Sequence, residues 1–169
     1  MTRLKGTDMN VILEKLSSYN LFNYLLPGII FVVIANKITH YNFIKDDIVI
    51  GLFLYYFIGL VISRFGSLVI EPVLKYFSFV KFRDYKDFIA ASKKDEKIEL
   101  LSEVNNTYRT LSAMFILLLL LKVYEKIEGK FPIFKEGSAI LLILLLLITF
   151  ILSYKKQTSY ITKRIKANQ

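Results

Sequence analysis

The sequence contains no cysteine and a single histidine, and these two shortages exclude most catalytic chemistry. Without cysteine there is no disulfide framework, no CxxC zinc or redox motif and no thiol nucleophile. An HExxH metal site needs two histidines and cannot form with His40 as the one histidine, while the position of His40 at an outer edge of the predicted membrane domain argues against a Ser-His-Asp triad. No GxGxxG or GxxxxGK[ST] nucleotide motif is present. Asp46 and Asp47 follow His40 on a short turn, but three ligands without supporting residues do not predict a metal site. We therefore expect a non-enzymatic protein without a cofactor.

Hydrophobic residues make up 54% of the 169 residues, and a mean hydropathy of +0.47 is too high for a soluble protein of this length. Four stretches are apolar enough to cross a bilayer, over about residues 21–39, 48–64, 108–126 and 137–154. An N-terminal interfacial helix is predicted from apolar residues at helical spacing, namely Met9, Ile12, Leu13 and Leu16. The predicted fold is an all-α membrane domain over residues 1–169, a four-transmembrane-helix bundle with a helical cytoplasmic connection at 65–107.

Basic residues are distributed unequally between the two sides of the predicted bundle. The N-terminal segment, the connection from Arg64 to Arg109 and the C-terminal tail hold 17 of the 23 Lys and Arg residues. Because cytoplasmic segments of membrane proteins are enriched in Lys and Arg, we expect both termini in the cytoplasm. The basic residues are spread over three membrane-facing segments, which favours membrane lipids with anionic head groups over nucleic acid as the partner.

The second predicted span carries small residues spaced at multiples of four along one face, namely Gly51, Gly59, Ser63 and Ser67. Another helix can approach such a face closely, so we expect a helix contact there. Arg64 and Glu71 follow on one face of the same helix. They either form an ion pair, or Arg64 extends its side chain to the head groups as an anchor. Pro72 disfavours helical geometry at Glu71.

Two positions within the spans each allow two interpretations. Pro27, followed by Gly28, either sits in the first turn of the first span or kinks that span beside a cavity. Only 12 residues separate Arg109 from Lys122, which corresponds to about 18 Å of helix against a hydrocarbon core of about 30 Å. Lys122 therefore either extends its side chain to the head groups or lines a hydrated seam or pore between protomers.

One helix is predicted over about residues 92–122, with its first half in water and its second half in the membrane. Its apolar stripe has the spacing of helices packed side by side and consists of Leu101, Val104, Tyr108, Leu111, Phe115 and Leu118, ending at Lys122. Asn105 beside the stripe either fixes the register between helices or faces solvent. We expect Leu101, Val104, Asn105 and Tyr108 to dock a soluble partner or another protomer. Packing within a single chain would explain the same stripe.

Three segments carry a resemblance to a known group: SSYNLFNYLLPGIIF, ISRFGSLVIEPVLK and KKDEKIELLSEVNNTYRT. Together they resemble small four-span bacterial membrane proteins encoded near antiphage defence systems, and the four-span membrane subunit of the Kiwa system has the same architecture. The resemblance implies a bacterial inner membrane and a link to antiphage defence, but it implies no functional residue.

The sequence as a whole predicts an oligomeric inner-membrane protein that senses or permeabilises the bilayer and docks a cytoplasmic protein. The alternative is a small ion channel or transporter subunit, with Pro27 and Lys122 along its path.

Overall fold

The computed structural model describes residues 20–168, which form five helices. They are α1 (Leu21–Ile38), α2 (Ile48–Tyr76), α3 (Tyr85–Ser92), α4 (Lys97–Lys130) and α5 (Pro132–Ala167). The predicted N-terminal interfacial helix lies outside the described residues. Every regular element within residues 20–168 is helical, so the all-α prediction is confirmed.

Three of these helices are long and apolar enough to cross a membrane, and they are α1, α2 and residues Glu136–Ala167 of α5. This composition is consistent with the predicted membrane location. Among the described residues, none in the most apolar stretch of α5 is buried, and Ile140, Ile143 and Leu147 are all more than half exposed. A continuous apolar surface of this kind is unfavourable in water, whereas lipid chains cover it without that penalty.

The hydrophobic core lies where α1, α2 and α4 meet, and it is built from Ala35, Ile62, Ile70, Ala113, Met114 and Leu118. Ala113 and Met114 are completely buried, although α4 carries charged residues at both of its ends. The middle of α4 is therefore an inner helix of the bundle, and the more apolar α5 packs on the outside.

Helices α1 and α2 approach each other to backbone contact at two glycines. A Cβ atom placed on Gly28 would lie 1.8 Å from the Tyr55 carbonyl oxygen, and one placed on Gly59 would lie 1.7 Å from the Tyr24 carbonyl oxygen. Both distances are far below van der Waals contact, so the helices reach this separation only because neither position carries a side chain. Gly59 thus contacts a neighbouring helix of the same chain.

Two turns of wider π-helix interrupt the regular α-helix, and each lies just ahead of a proline. They cover Leu21–Leu25 before Pro27 and Gly66–Ile70 before Pro72. A proline lacks the N–H of a regular helix and its ring crowds the carbonyl four residues back, and a wider turn accommodates both effects. The expectation that Glu71 is not helical is wrong for this reason, because α2 continues through Glu71 and Pro72.

The end of α2 is fixed by a Schellman motif. Ser78 adopts a left-handed conformation with a φ of 57°. Its N–H donates to the Lys75 carbonyl and the Phe79 N–H donates to the Leu74 carbonyl, both at 3.0 Å. These two bonds satisfy carbonyls that the helix end would otherwise leave without partners. The segment after Pro72 is therefore a helix end followed by an irregular stretch.

Two other boundaries differ from the sequence-based prediction. The long helix begins at Lys97 rather than near Ser92, because the Ser92 hydroxyl donates to a carbonyl of α3 and so belongs to the end of that helix. The sequence also predicts an external loop over residues 124–137 from Gly129, Pro132, Gly137 and mixed charges, but the chain there is helical except at one residue. Helix α4 continues through Lys130, and the single extended residue Phe131 separates it from α5.

Candidate functional site

A buried triad of polar side chains joins α1, α2 and α4. It consists of Asn23, Ser63 and Thr110, which are 0%, 2% and 0% exposed. The Thr110 hydroxyl donates to Asn23 Oδ1 at 2.8 Å, and Asn23 Nδ2 donates to Ser63 Oγ at 3.3 Å. Because buried polar groups are costly unless they are bonded to one another, the triad fixes the register of the three helices.

One carboxylate and three cations form a second polar group beside the triad, the Glu71 cluster. The Glu71 side chain is 7% exposed and lies 2.6 Å from Arg109 Nη1, 2.9 Å from Lys75 Nζ and 3.5 Å from Lys156 Nζ. Lys156 Nζ also donates to the carbonyl and the hydroxyl of Ser67, both at 2.7 Å. The cluster connects α2, α4 and α5 with more positive than negative charge, and we call this level of the bundle the Glu71 end.

Arg64 lies at the same level, but its partner is a neutral side chain. Its Nη2 atom donates to the Tyr24 hydroxyl at 3.1 Å. Within residues 20–168 no ion pair joins Arg64 and Glu71, since the Glu71 carboxylate contacts Arg109 instead. The π-helical turn Gly66–Ile70 explains this, because a wider turn between the two residues rotates Glu71 away from the face of Arg64.

The opposite end of α1 and α4 carries its own polar contacts, and we call it the Glu125 end. The Glu125 carboxylate accepts from the His40 backbone N–H at 2.7 Å and from Lys122 Nζ at 2.5 Å, and it lies 2.8 Å from His40 Nδ1. Lys122 also donates to the Ile38 carbonyl at the C-terminus of α1. A cation at this position is favoured because helix C-termini carry partial negative charge.

The connection between α1 and α2 is anchored at the Glu125 end by further contacts. The Tyr41 hydroxyl donates to the Glu128 carboxylate. Burial and this hydrogen bond to a carboxylate raise the pKa of the Tyr41 phenol, so the phenol remains a donor at physiological pH. The Phe43 N–H donates to Asn36 Oδ1 at 3.0 Å, and the Asp47 carboxylate caps the start of α2.

The apolar stripe predicted along α4 divides into two halves. In the second half, Leu118 is 4% exposed and belongs to the core. In the first half, Leu101, Val104 and Tyr108 are 65%, 41% and 66% exposed, and Asn105 beside them is also exposed. These residues lie beyond the Glu71 end, and we call Leu101, Val104 and Tyr108 the α4 face.

Two further features of the site are the position of Pro27, which is a predicted site residue, and the bond between Asn23 and Thr110. Pro27 is fully buried within α1, next to the contact of Gly28 with α2. The contact between Asn23 and Thr110 was not predicted, although the sequence carries a signal for it. Polar residues inside apolar stretches are costly in a membrane unless they find partners, so both positions were candidates for contacts between helices.

No protein-family model matches this chain, and neither a curated protein nor a solved structure matches it.

Proposed function

We propose that this chain is a non-enzymatic four-span protein of the bacterial inner membrane, with both termini in the cytoplasm, that docks a protein partner on α4. The proposed fourth span is the middle of α4. It is supported by contacts at both ends of α1, where Thr110 bonds Asn23 and Lys122 bonds the Ile38 carbonyl. Contacts with a membrane-spanning neighbour from one end to the other favour a crossing of the same bilayer.

The charges that bound the apolar part of α4 also fit a span. Arg109 pairs with Glu71, and Lys122 pairs with Glu125. A charge with a partner is less costly near the membrane than an isolated one. An apolar stretch of 12 residues between Arg109 and Lys122 is therefore compatible with a crossing, because its charged ends are partly neutralised.

The α4 face is the observation that carries the proposed docking function. Its three residues recur at spacings of three and four, so they share one side of the helix, and Leu100 beside them is 61% exposed. Beyond the Glu71 end this surface meets water rather than lipid in the proposed topology. Exposed apolar residues grouped on a water-facing helix are typical of a protein-docking surface. The proposed role in antiphage defence rests on the sequence resemblance alone.

The same helix gives docking a physical route into the membrane. Arg109 and Thr110 directly follow the α4 face, and they bond residues of α2 and α1. A partner that shifts or tilts the first half of α4 must therefore strain or exchange these buried bonds. A buried hydrogen bond is either formed or broken, so the helices would switch between two distinct arrangements. Such a switch is the behaviour of a membrane sensor.

Site-specific photocrosslinking in living bacteria tests the docking proposal. A benzophenone amino acid at Leu101 or Tyr108 is expected to give a discrete adduct, whose mass identifies a second copy of the chain or a soluble protein. Glu99 is the matched control, since it lies on the opposite side of the same helix and is exposed. Adducts of equal yield from Glu99, or no adduct from either position on the face, would contradict docking there.

The channel or transporter alternative has less support from the contacts. The Lys122 ammonium is engaged by Glu125 and by the Ile38 carbonyl, and Pro27 is fully buried. Ion flux through liposomes that was abolished by Lys122→Leu would nevertheless favour this alternative over docking.

A further inference from the structure

A groove with a volume of about 430 Å³ lies between α2 and α5. Its lining consists of Leu60, Arg64, Phe150, Ser153, Tyr154 and Gln157. Helices α2 and α5 run in the same direction, because Phe57 stacks on Phe150 and, further along both helices, Ser67 bonds Lys156. The groove therefore changes from apolar near Phe150 to polar near Gln157, along the axis of the bundle.

The polar part of the groove has hydrogen-bond donors that residues 20–168 do not use. Arg64 donates one N–H to the neutral Tyr24 hydroxyl, and no carboxylate within residues 20–168 pairs with its guanidinium. A guanidinium has five N–H donors in a planar fork that matches the oxygens of a phosphate. The Ser153 hydroxyl is buried and, in the described part of the chain, has no hydrogen-bond partner. A ligand oxygen between Arg64 and Ser153 would satisfy both groups.

The charge around the groove favours a ligand with net negative charge. No acidic residue is among the six that line it. The neighbouring Glu71 cluster contributes three cations and one carboxylate, and its Lys156 directly precedes Gln157 of the groove. An excess of positive charge at a concave surface attracts anions and disfavours a zwitterion relative to an anion of the same size.

We propose that this groove binds one anionic phospholipid, with its phosphate on Arg64 and Ser153 and an acyl chain along Leu60 and Phe150. The apolar part of the lining selects a lipid over free phosphate, because phosphate alone leaves that surface uncovered. Lipid binding here depends on the membrane setting of the proposed function but not on the docking face. The bound lipid would connect α2 to α5, whose most apolar stretch is not buried by the described part of the chain.

Native mass spectrometry of the detergent-purified full chain tests this site. The protein is titrated with phosphatidylglycerol or with phosphatidylcholine of the same acyl chains. We expect the first phosphatidylglycerol to bind about tenfold more tightly than the first phosphatidylcholine. Arg64→Gln should weaken phosphatidylglycerol binding about tenfold, and Ser153→Ala about threefold. Arg64→Lys keeps the charge without the planar fork and should give an intermediate loss.

Lys163→Gln is the matched control, because it removes one exposed positive charge from α5 outside the groove. It should change phosphatidylglycerol affinity less than twofold. Equal binding of the two lipids, or equal losses in Arg64→Gln and Lys163→Gln, would overturn the proposal. Full displacement of the lipid by millimolar inorganic phosphate would assign the site to a free anion instead.

Circular dichroism melting of each variant shows whether a loss of lipid affinity is caused by unfolding. If the Arg64 variants unfold, the lipid affinity of Ser153→Ala relative to the unsubstituted protein decides the test. A protein that binds neither lipid in this groove but still requires detergent would refute the lipid site alone. A protein that stays dissolved without detergent would refute the membrane setting as well.

Discussion

Single hydroxyl and carboxylate groups hold the helices of this bundle at fixed rotations. Thr110 is completely buried, and its hydroxyl lies within hydrogen-bond distance of Asn23 and Ser63 on two different helices. Glu71 plays the corresponding role for charged groups, since it contacts cations from α2, α4 and α5. Removing either group takes a hydrogen-bond or charge partner away from side chains on other helices, and such a loss is costly where the remaining polar atom is buried.

The triad is tested by Thr110→Val, which keeps the shape of the side chain and removes the hydroxyl. We expect the free energy of unfolding to fall by about 1–2 kcal/mol, because the variant loses a buried hydrogen bond between α1 and α4. Thr107→Val is the matched control, since the Thr107 hydroxyl donates to the Glu103 carbonyl of the same helix. Unfolding by SDS in mixed micelles, followed by circular dichroism, measures both. Equal losses would contradict the role given to Thr110.

The charged cluster is tested by Glu71→Gln. We expect a loss of about 3 kcal/mol, because the variant leaves Arg109 and Lys156 next to each other without the buried carboxylate. Lys75→Gln removes a partner whose side chain is 42% exposed, and it should cost at most about 1 kcal/mol. The same unfolding titration measures both variants, and a Glu71→Gln variant as stable as Lys75→Gln would show that the carboxylate is dispensable.

Helix contacts at the scale of whole elements depend on the absence of side chains. We expect Gly59→Ala to lower the free energy of unfolding by about 3 kcal/mol, because the added methyl group meets the Tyr24 backbone of α1. In contrast, Gly129→Ala should raise it by about 0.5–1 kcal/mol. A Cβ atom there meets nothing within 4 Å in the described structure, and alanine favours the helix more than glycine does. The reverse order of the two variants would contradict the close packing of α1 on α2.

Apolar stretches in the sequence predict the positions of α1 and α2 to within a few residues at their starts, because burial in lipid or protein requires the same residues. The π-helical turns could not be predicted, since their signal is a proline that also indicates a helix end. Because of this ambiguity, the end of α2 was predicted too early. The partners of Glu71 could not be predicted either, because they depend on how far the wider turn Gly66–Ile70 rotates Glu71 about the helix axis. Similarly, Pro132 suggested a loop, whereas it occupies the start of α5, where a helix tolerates proline.

At the scale of the whole molecule, polarity and burial are distributed in an order that suits a bilayer. Helices α1, α2 and α4 share the core, and the polar contacts are concentrated at the Glu71 end and the Glu125 end. The apolar stretch of α5 lies outside this core and would face lipid chains. If α4 stayed in water, its buried Met114 and its contacts with α1 at both ends would keep α1 beside it. The side of α1 that packs on α4 could then not lie in lipid.

The absence of cysteine allows a direct test of this topology, because a single introduced thiol is then the only one in the chain. Lys45, Lys94 and Lys163 are exposed and lie in three different segments. If α4 crosses the membrane, Lys94→Cys and Lys163→Cys should react with a membrane-impermeant maleimide from the same, cytoplasmic side, and Lys45→Cys from the other side. If only α1, α2 and α5 cross, Lys163 lies on the side opposite to Lys94. Labelling of right-side-out and inverted vesicles distinguishes the two arrangements, and opposite accessibility of Lys94→Cys and Lys163→Cys would remove the fourth span together with the docking model that needs it.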